Sequence, residues 1–261
     1  MDGGLLRALA DLVLPRTCAG CGVPGAMLCP RCSLLLTAPR LATPRRFPWG
    51  FPPTVAAGAY SGPVRPAVNA FKERGRTELA RPLGTALALA VAAVVSAVPD
   101  ARVLLVPVPS SRAALRTRGR DHVRELTGRA VAELQEAGLP VSQARLLARR
   151  GRARDSAGLS AAARRANLAG TFQRCADAPR GALLVLVDDV VTSGATLTEA
   201  ATELSAGARP GDPPVLAAVI AATPRRAGSA TTRSDLRVDP NRPEIVLDGP
   251  RGRLSGPEVN D

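Results

Sequence analysis

Residues 183–197 read LLVLVDDVVTSGATL, and this stretch does most to decide the fold. Its first five residues are apolar, which predicts a short strand buried on both faces of a sheet. Two adjacent carboxylates, Asp188 and Asp189, follow the strand, and a turn of small and hydroxyl residues leads into a helix predicted at residues 196–206. Because ligands of open parallel sheets bind beyond the carboxyl ends of the strands, the stretch predicts a site as well as a strand.

Strands and helices alternate on both sides of this stretch. Runs typical of buried strands occupy residues 54–60, 103–108, 144–148 and 215–222, and helical spacing occupies residues 64–72, 78–98, 120–138 and 160–167. This alternation predicts an α/β fold with an open, mostly parallel sheet and helices on both of its faces.

Composition and charge narrow the possible classes of protein. Hydrophobic residues make up 46% of the 261 residues but aromatic residues only 2%, so we expect a core of Ala, Val and Leu. The net charge of +13 favours anionic partners such as phosphate ligands or nucleic acid, although a coding bias towards Arg is an alternative explanation.

No apolar run reaches the roughly 18 uncharged residues that a membrane-spanning helix needs. Residues 83–98 come nearest, and we interpret them as a buried helix. The apolar N-terminus lacks the basic region of a secretory signal, so we expect a cytoplasmic protein without a membrane span.

The chain divides into five predicted parts. These are a short amphipathic helix at residues 1–14, a cysteine module at 15–38, a Pro- and Arg-rich linker at 39–53, the α/β domain at 54–223 and a mostly disordered tail at 224–261, in which residues 244–247 could form an edge strand. In the linker, Phe47, Trp49 and Phe51 could stack on single-stranded bases, but we favour attachment of the linker to the domain.

Four cysteines form two CxxC pairs that are separated by seven residues. Cys18 and Cys21 make the first pair, and Cys29 and Cys32 the second. This spacing is typical of a tetrahedral Zn²⁺ site, with a redox pair as the alternative. Four thiolate ligands leave no open position, so we expect a structural metal that the small module needs in order to fold.

The acidic pair and the following loop predict two kinds of ligand site about one sugar apart. The two carboxylates can accept hydrogen bonds from a ribose diol and can hold a hydrated Mg²⁺. The loop can bind a phosphate at a helix N-terminus, with the contacts provided by Thr192, Ser193, Gly194, Ala195 and Thr196. The alternative interpretation of this stretch is a strand that ends in a capped turn without a ligand. The sequence does not support a P-loop or a Rossmann nucleotide-binding site, because the glycine motifs of both are absent.

This stretch resembles the phosphoribosyl pyrophosphate (PRPP) motif of type I phosphoribosyltransferases, and the whole chain resembles the ComF family (ComFC/GntX-like proteins). Three further blocks carry the resemblance, together with the cysteine module, and they extend it over residues 15–222. The blocks are YSGPVR at 60–65 with FK at 71–72 and GR at 75–76; VPVP at 106–109 with Arg116 and RGRDH at 118–122; and AGLS at 157–160 with Arg164, Asn167, Leu168 and Phe172.

The resemblance implies a fold of the type I phosphoribosyltransferase kind. It also implies that the protein binds PRPP with Mg²⁺ and transfers the phosphoribosyl group to an acceptor, releasing pyrophosphate. The sequence does not reveal the acceptor. Asp188 and Asp189 would hold the ribose and stabilise charge at its anomeric carbon. The pyrophosphate contacts would come from Lys72, Val108, Pro109, Arg116 and Arg120, and residues 149–158 would correspond to a mobile lid. The chain departs from the family at Ser156, where Gln is usual.

Two other functions remain open at this point. The family resemblance also implies a role in single-stranded DNA uptake with the competence machinery, in which the fold would act without turnover. A PRPP-sensing regulator is the third possibility. His122, the only histidine, argues against a Ser-His-Asp triad, and we expect it to begin a helix. The sequence leaves the acceptor and the oligomeric state open.

Overall fold

The computed structural model describes residues 16–44, 49–98, 101–150 and 170–224, together with two short strands further along the chain. The predicted helices at residues 1–14 and 160–167 lie outside the described residues, as does most of the predicted disordered tail. Within that tail, residues 245–247 pair with residues 236–238 in a separate antiparallel hairpin.

Six of the ten strands found among the described residues form one mostly parallel sheet. The strands are β1 (Arg40–Leu41), β2 (Thr54–Ala59), β3 (Val103–Pro107), β4 (Val141–Gln143), β5 (Leu147–Arg149), β6 (Phe172–Arg174), β7 (Leu183–Val191), β8 (Leu216–Ala222), β9 (Leu236–Val238) and β10 (Ile245–Leu247). The order across the large sheet is β1-β2-β8-β7-β3-β4, and only the β1–β2 pairing is antiparallel. The predicted mixed α/β architecture with a mostly parallel sheet is therefore confirmed.

The helices of the described residues connect these strands. They are α1 (Pro30–Leu34), α2 (Val64–Glu73), α3 (Ala80–Val95), α4 (Arg112–Arg118), α5 (His122–Glu136) and α6 (Ala195–Ser205), with a 3₁₀ turn at Thr77–Leu79. Gly119, at φ 68°, ends α4 in the left-handed conformation that glycine adopts without strain. Asp121 then caps α5 by accepting the Arg124 N–H.

Helices cover both faces of the sheet, as the uninterrupted apolar strands require. On one face, α2, α3 and α5 pack over the odd-numbered residues of β7, including Val185 and Val187. On the other face, α6 packs over Leu184 and Leu186. Both clusters consist almost wholly of Ala, Val and Leu, which confirms the core composition expected from the sequence.

Residues 77–95 are long and apolar enough to cross a membrane, as judged by length and composition alone. Core helices of soluble proteins pass the same test, and 56% of this window is buried inside the protein. Leu83 and Leu87 of α3 are fully buried against the sheet and α5. The prediction of a buried helix at residues 83–98 is confirmed in this respect, with the helix ending at Val95.

The predicted linker is more than a connector. Arg40 and Leu41 pair antiparallel with β2 and so extend the sheet by one strand. Phe51 is 9% exposed and packs beneath the loop at Gly194, whereas Trp49 is fully exposed and Phe47 lies outside the described residues. The interpretation that the aromatics attach the linker therefore holds for Phe51 and is wrong for Trp49.

The two strands nearest the predicted site also differ from expectation. β7 does not end at Val187 but continues to Val191, because β8 stays paired with it as far as Ala222. β3 ends at Pro107, since Pro107 and Pro109 have no N–H to donate. The strand predicted at residues 144–148 is wrong in its bounds: residues 144–146 form no strand and separate β4 from β5, which belong to different sheets.

Two glycines in packed helices allow a matched test of this architecture. A Cβ at Gly84 would lie 2.6 Å from the Cβ of Arg129, whereas one at Gly128 would lie 3.7 Å from Gln143 Oε1. We expect Gly84→Ala to destabilise the protein by about 1–3 kcal/mol, because α3 and α5 must move apart. Gly128→Ala should instead stabilise it by about 0.5–1 kcal/mol through helix propensity. Urea denaturation of both variants measures the difference, and equal effects would contradict the close helix contact.

Candidate functional site

The acidic pair lies where β3 stops and β7 continues. Pairing of β3 with β7 ends at Pro107 opposite Val187, and the Val108 N–H donates to the Val187 carbonyl at 2.9 Å. Asp188 and Asp189 follow directly, as the sixth and seventh of the nine residues of β7. The two carboxylates therefore lie next to the carboxyl end of β3.

Asp189 is buried and interacts with two basic side chains, Lys72 and His122. Its Oδ2 accepts from Lys72 Nζ at 2.8 Å and from His122 Nε2 at 2.9 Å, and its Oδ1 accepts the Val190 N–H at 2.7 Å. The side chains of Asp189 and His122 are each 4% exposed, and that of Lys72 is 29% exposed. We call these three side chains the inner network. They join β7, α2 and α5 at one point.

Asp188 lies on the opposite face of the strand. Successive side chains of a strand alternate, so Asp188 shares the face of Leu184 and Leu186, whereas Asp189 faces α2 and α5. Asp188 is half-buried, and its Oδ1 accepts the Asp189 N–H at 2.9 Å. Of the two predicted ribose ligands, Asp188 is thus the one that solvent reaches.

The environment separates the proton affinities of the two carboxyls. Burial raises the pKa of Asp188 to about 7, with a further contribution from the negative charge of Asp189. Burial acts in the same direction on Asp189, but the hydrogen bond from His122 and the charge of Lys72 outweigh it and hold its pKa below the usual range. Near neutral pH the Asp189 carboxyl is therefore ionised, whereas the Asp188 carboxyl is only partly ionised.

Arg149 is a member of this site that the sequence did not single out. Its Nε donates to the Pro109 carbonyl at 3.1 Å, and its guanidinium lies 5.0 Å from the centre of the Phe172 ring. Burial lowers the pKa of Arg149, and the negative charge of Asp188 opposes this. The sequence named only the segment that begins at this residue, because one Arg among seven between residues 145 and 165 carries no distinguishing signal.

The five residues predicted to contact pyrophosphate differ in their surroundings. Lys72 belongs to the inner network, and Val108 and Pro109 follow β3 beside it. The guanidinium of Arg120 lies 4.1 Å from the centre of the Phe71 ring, and its Nη2 donates to the Phe71 carbonyl at 3.3 Å. Arg116 is exposed on α4.

The predicted phosphate loop forms a tight turn into α6. Gly194 has φ 77°, and a Cβ there would lie 2.7 Å from carbons of the Phe51 ring, so only glycine fits. The helix begins at Ala195, one residue earlier than expected, which places Ala195 and Thr196 in its first turn. Thr192 is exposed, and Ser193 and Thr196 are half-buried. The N-terminus of α6 is electrostatically suited to an anion.

His122 is a residue of the candidate site whose contact with Asp189 the sequence did not predict. It begins α5, as expected, and its Nε2 bonds Asp189. Its ring also lies 6.5 Å from that of Phe71, and its Nδ1 is buried with no hydrogen-bond partner among the described residues. No sequence signal links His122 to Asp189, because 67 residues separate them and only the fold brings them together.

The four paired cysteines form a cluster that could hold a metal ion such as zinc. Their sulfur atoms all lie within 4.8 Å of one another, and the Cys21 and Cys29 sulfurs are 3.6 Å apart. Tetrahedral zinc with Zn–S bonds of about 2.3 Å needs sulfurs about 3.8 Å apart, so the cluster fits the ion. Burial raises the pKa of Cys18, but backbone N–H donors from Cys29, Cys21 and Gly20 outweigh it and lower the pKa to about 6.

The cysteine module is part of the domain rather than a separate appendage. Leu36 is buried in the core on the α3 face, and Met27 and Leu28 pack against that core. A Cβ at Gly20 would lie 2.9 Å from the Pro63 carbonyl oxygen, and Pro63 is the residue that precedes α2. Because α2 carries Lys72, the module braces the helix that supplies the inner network.

In comparisons with known proteins, no family model matches this chain and no curated protein matches it. The similarity to the ComF family consequently stays a prediction that the sequence motifs carry.

The inner network predicts opposite effects for the two carboxyls. We expect Asp189→Asn to destabilise the protein by roughly 1–3 kcal/mol, because it leaves the buried His122 and Lys72 poorly paired. Asp188→Asn should match the wild type near pH 4 and exceed its stability at pH 8. This pH dependence follows from the raised pKa of Asp188. The folded state binds the Asp188 proton more tightly than the unfolded state does, so the wild type loses stability as pH rises from about 4 to about 7. Urea denaturation at both pH values measures these effects, and equal stability changes for the two variants would contradict the network.

Metal removal should destabilise the whole domain, because the module shares its core. We expect one equivalent of zinc per chain by atomic emission and a lower melting temperature after treatment with a strong chelator. Cys32→Ser should reproduce this loss, whereas Cys175→Ser, at the exposed cysteine outside the cluster, should leave both zinc content and melting temperature unchanged. Full thermal stability in metal-free protein would contradict the structural role.

Proposed function

We propose that this chain has a type I phosphoribosyltransferase-like fold, is related to the ComF family, and binds PRPP with Mg²⁺ at Asp188 of β7, next to the carboxyl end of β3. The observation that carries the proposal is the position of Asp188. It is half-buried and reachable by solvent, it lies near the cation Arg149, and four residues later the chain enters the phosphate loop before α6. A carboxylate, a cation and a helix N-terminus in one short span suit the diol and the phosphates of a sugar phosphate.

In this proposal the loop at residues 192–196 holds the 5-phosphate, and Asp188 accepts hydrogen bonds from the ribose hydroxyls. Arg149 and Lys72, the two cations that interact electrostatically with Asp188, would bind the pyrophosphate group. Bound Mg²⁺ would be held through its water shell by the Asp188 carboxylate and would neutralise phosphate charge.

Lys72 connects the inner network to the ligand. Its side chain is 29% exposed, and its ammonium contacts Asp189. A polyphosphate competes for this cation, and the His122 hydrogen bond still holds Asp189 in place when Lys72 turns towards the ligand. The negative charge of Asp189 released in this way would stabilise positive charge that develops at the anomeric carbon.

Binding and turnover are separate parts of the proposal. Transfer of the phosphoribosyl group needs an acceptor, and Ser156, where the family usually has Gln, lies outside the described residues. A chain that binds PRPP without releasing pyrophosphate in the presence of candidate acceptors would instead be a PRPP sensor.

Calorimetric titration of PRPP with Mg²⁺ into zinc-replete protein tests the binding site. We expect saturable binding by the wild type and an affinity at least about tenfold lower for Asp188→Asn, which corresponds to the loss of about 1.4 kcal/mol. Asp177→Asn, at an exposed carboxyl that pairs with Arg174, is the matched control and should bind like the wild type. Wild-type affinity should rise from pH 6 to pH 8, because Asp188, whose pKa is about 7, ionises in this interval. Wild-type binding that Asp188→Asn leaves unchanged would place the ligand elsewhere.

Single-stranded DNA is the second candidate ligand, and Trp49 is the observation that favours it. This side chain, the only tryptophan, is fully exposed, and the neighbouring Gly50 and Phe51 lie against α6 and the phosphate loop. The net charge of +13 also favours a polyanion. If the titration shows no PRPP binding, quenching of Trp49 fluorescence by an oligonucleotide, weakened by added salt, would move the assignment to DNA.

A further inference from the structure

The four cysteines of the metal cluster differ sharply in their access to solvent. Cys18 and Cys32 are 3% and 2% exposed, whereas Cys21 is exposed and Cys29 is half-buried. The two accessible residues belong to different CxxC pairs, and their sulfur atoms are 3.6 Å apart. We call Cys21 and Cys29 the outer pair.

Backbone contacts cover the other two sulfurs. The Cys29 N–H donates to Cys18 Sγ at 3.3 Å. The turn at Gly20 lies against Cys32, since a Cβ on Gly20 would lie 3.0 Å from Cys32 Sγ. A reagent that arrives from solvent therefore meets Cys21 first, and Cys29 is the next most accessible sulfur of the cluster.

We propose that the outer pair is an oxidation-sensitive site, at which a hydroperoxide converts Cys21 and Cys29 into a disulfide and so ends metal binding by the cluster. The Cys21 thiolate attacks a peroxide oxygen, the O–O bond breaks, and Cys21 becomes a sulfenic acid as hydroxide leaves. The Cys29 thiolate then attacks the Cys21 sulfur, the S–S bond forms, and the S–O bond breaks with loss of a second hydroxide. The two thiolates together lose two electrons, and the peroxide gains them.

The disulfide removes half of the metal ligands. Its sulfurs carry no negative charge, so only Cys18 and Cys32 remain as thiolates. Protein zinc sites use three or four protein ligands, and two thiolates hold the ion too weakly to keep it. Oxidation of the outer pair is therefore expected to release the bound zinc.

The module contacts α2 near both ends of that helix, which gives the oxidation a structural consequence. The turn at Gly20 lies against Pro63 before the helix, and the Thr17 carbonyl accepts from Arg76 Nη1 at 2.9 Å after it. Thr17 and Gly20 flank Cys18 in sequence, so loss of the metal loosens both contacts. This inference concerns the cysteine module and does not depend on the ligand proposed for Asp188.

Peroxide treatment of the full-length, zinc-loaded protein tests the proposal. The protein should carry Cys175→Ser, so that the exposed cysteine outside the cluster does not react. We expect hydrogen peroxide to cause loss of the bound zinc, as measured with a chromogenic chelator, in step with formation of a Cys21–Cys29 disulfide. Reduction with dithiothreitol followed by addition of zinc should restore the metal content.

The disulfide can be located by mass spectrometry. Alkylation before cleavage labels the free thiols, which should be those of Cys18 and Cys32. Cleavage after Met27 with cyanogen bromide then separates Cys21 from Cys29 unless a disulfide joins them. Zinc loss without this disulfide, or a disulfide that excludes either member of the outer pair, would overturn the proposal, as would zinc retention under the same treatment.

Cys21→His is the matched variant, because histidine can act as a zinc ligand but cannot form a disulfide. We expect this variant, again with Cys175→Ser, to keep its zinc under the peroxide treatment that empties the parent cluster. Zinc loss at the parent rate would contradict the role of Cys21. Disulfide mapping in the parent decides the proposal by itself if the variant does not bind zinc.

Hydrogen exchange measures the effect on α2. We expect the oxidised protein to exchange faster over Val64–Glu73 than the reduced, zinc-loaded protein, with a smaller change over His122–Glu136 of α5. Unchanged exchange in α2 after complete zinc loss would overturn the coupling between the module and this helix.

Discussion

The buried carboxylate of Asp189 is the group on which the rest of the site depends. A negative charge at 4% exposure is costly unless it is paired, and here two side chains and a backbone N–H satisfy it. The pairing holds β7, α2 and α5 in one arrangement. The same pairing lowers the proton affinity of Asp189, while the charge of Asp189 raises that of Asp188. One buried interaction thus determines both the local packing and the chemistry of the accessible neighbour.

The path from the cysteine module to this network is short. The Gly20 turn lies against Pro63, α2 begins at the next residue, and Lys72 is near the end of that helix. Metal binding in the module would stabilise this turn and thereby the direction of α2. The four-cysteine cluster is therefore a structural element of the candidate site, even though none of its sulfurs contacts an acidic residue of β7.

Differences between expectation and structure concentrate where strands end. The apolar run predicted a strand that stops before the acidic pair, but pairing with β8 carries β7 past both carboxylates. Continuation of the strand places Asp188 and Asp189 on opposite faces, so that Asp188 is open to solvent whereas Asp189 is buried against α2 and α5. Whether a strand continues depends on its neighbours in the sheet, and a single stretch of sequence contains no information about where a neighbour ends.

The sequence by itself determined the local features: the buried strands, the alternation of strands and helices, the pairing of the cysteines and the glycine that the turn before α6 requires. Each depends on residues close together in the chain, whose spacing is visible without a fold. Only the tertiary structure decided that Asp189 is internal, that Asp188 is accessible, and that His122 and Arg149 join the site. The contacts behind these assignments are distant in sequence: Arg149 bonds Pro109 across 40 residues, His122 bonds Asp189 across 67, and Lys72 pairs with Asp189 across 117. Burial and charge pairing at that distance arise from the packing of the sheet and its helices, which no local pattern encodes.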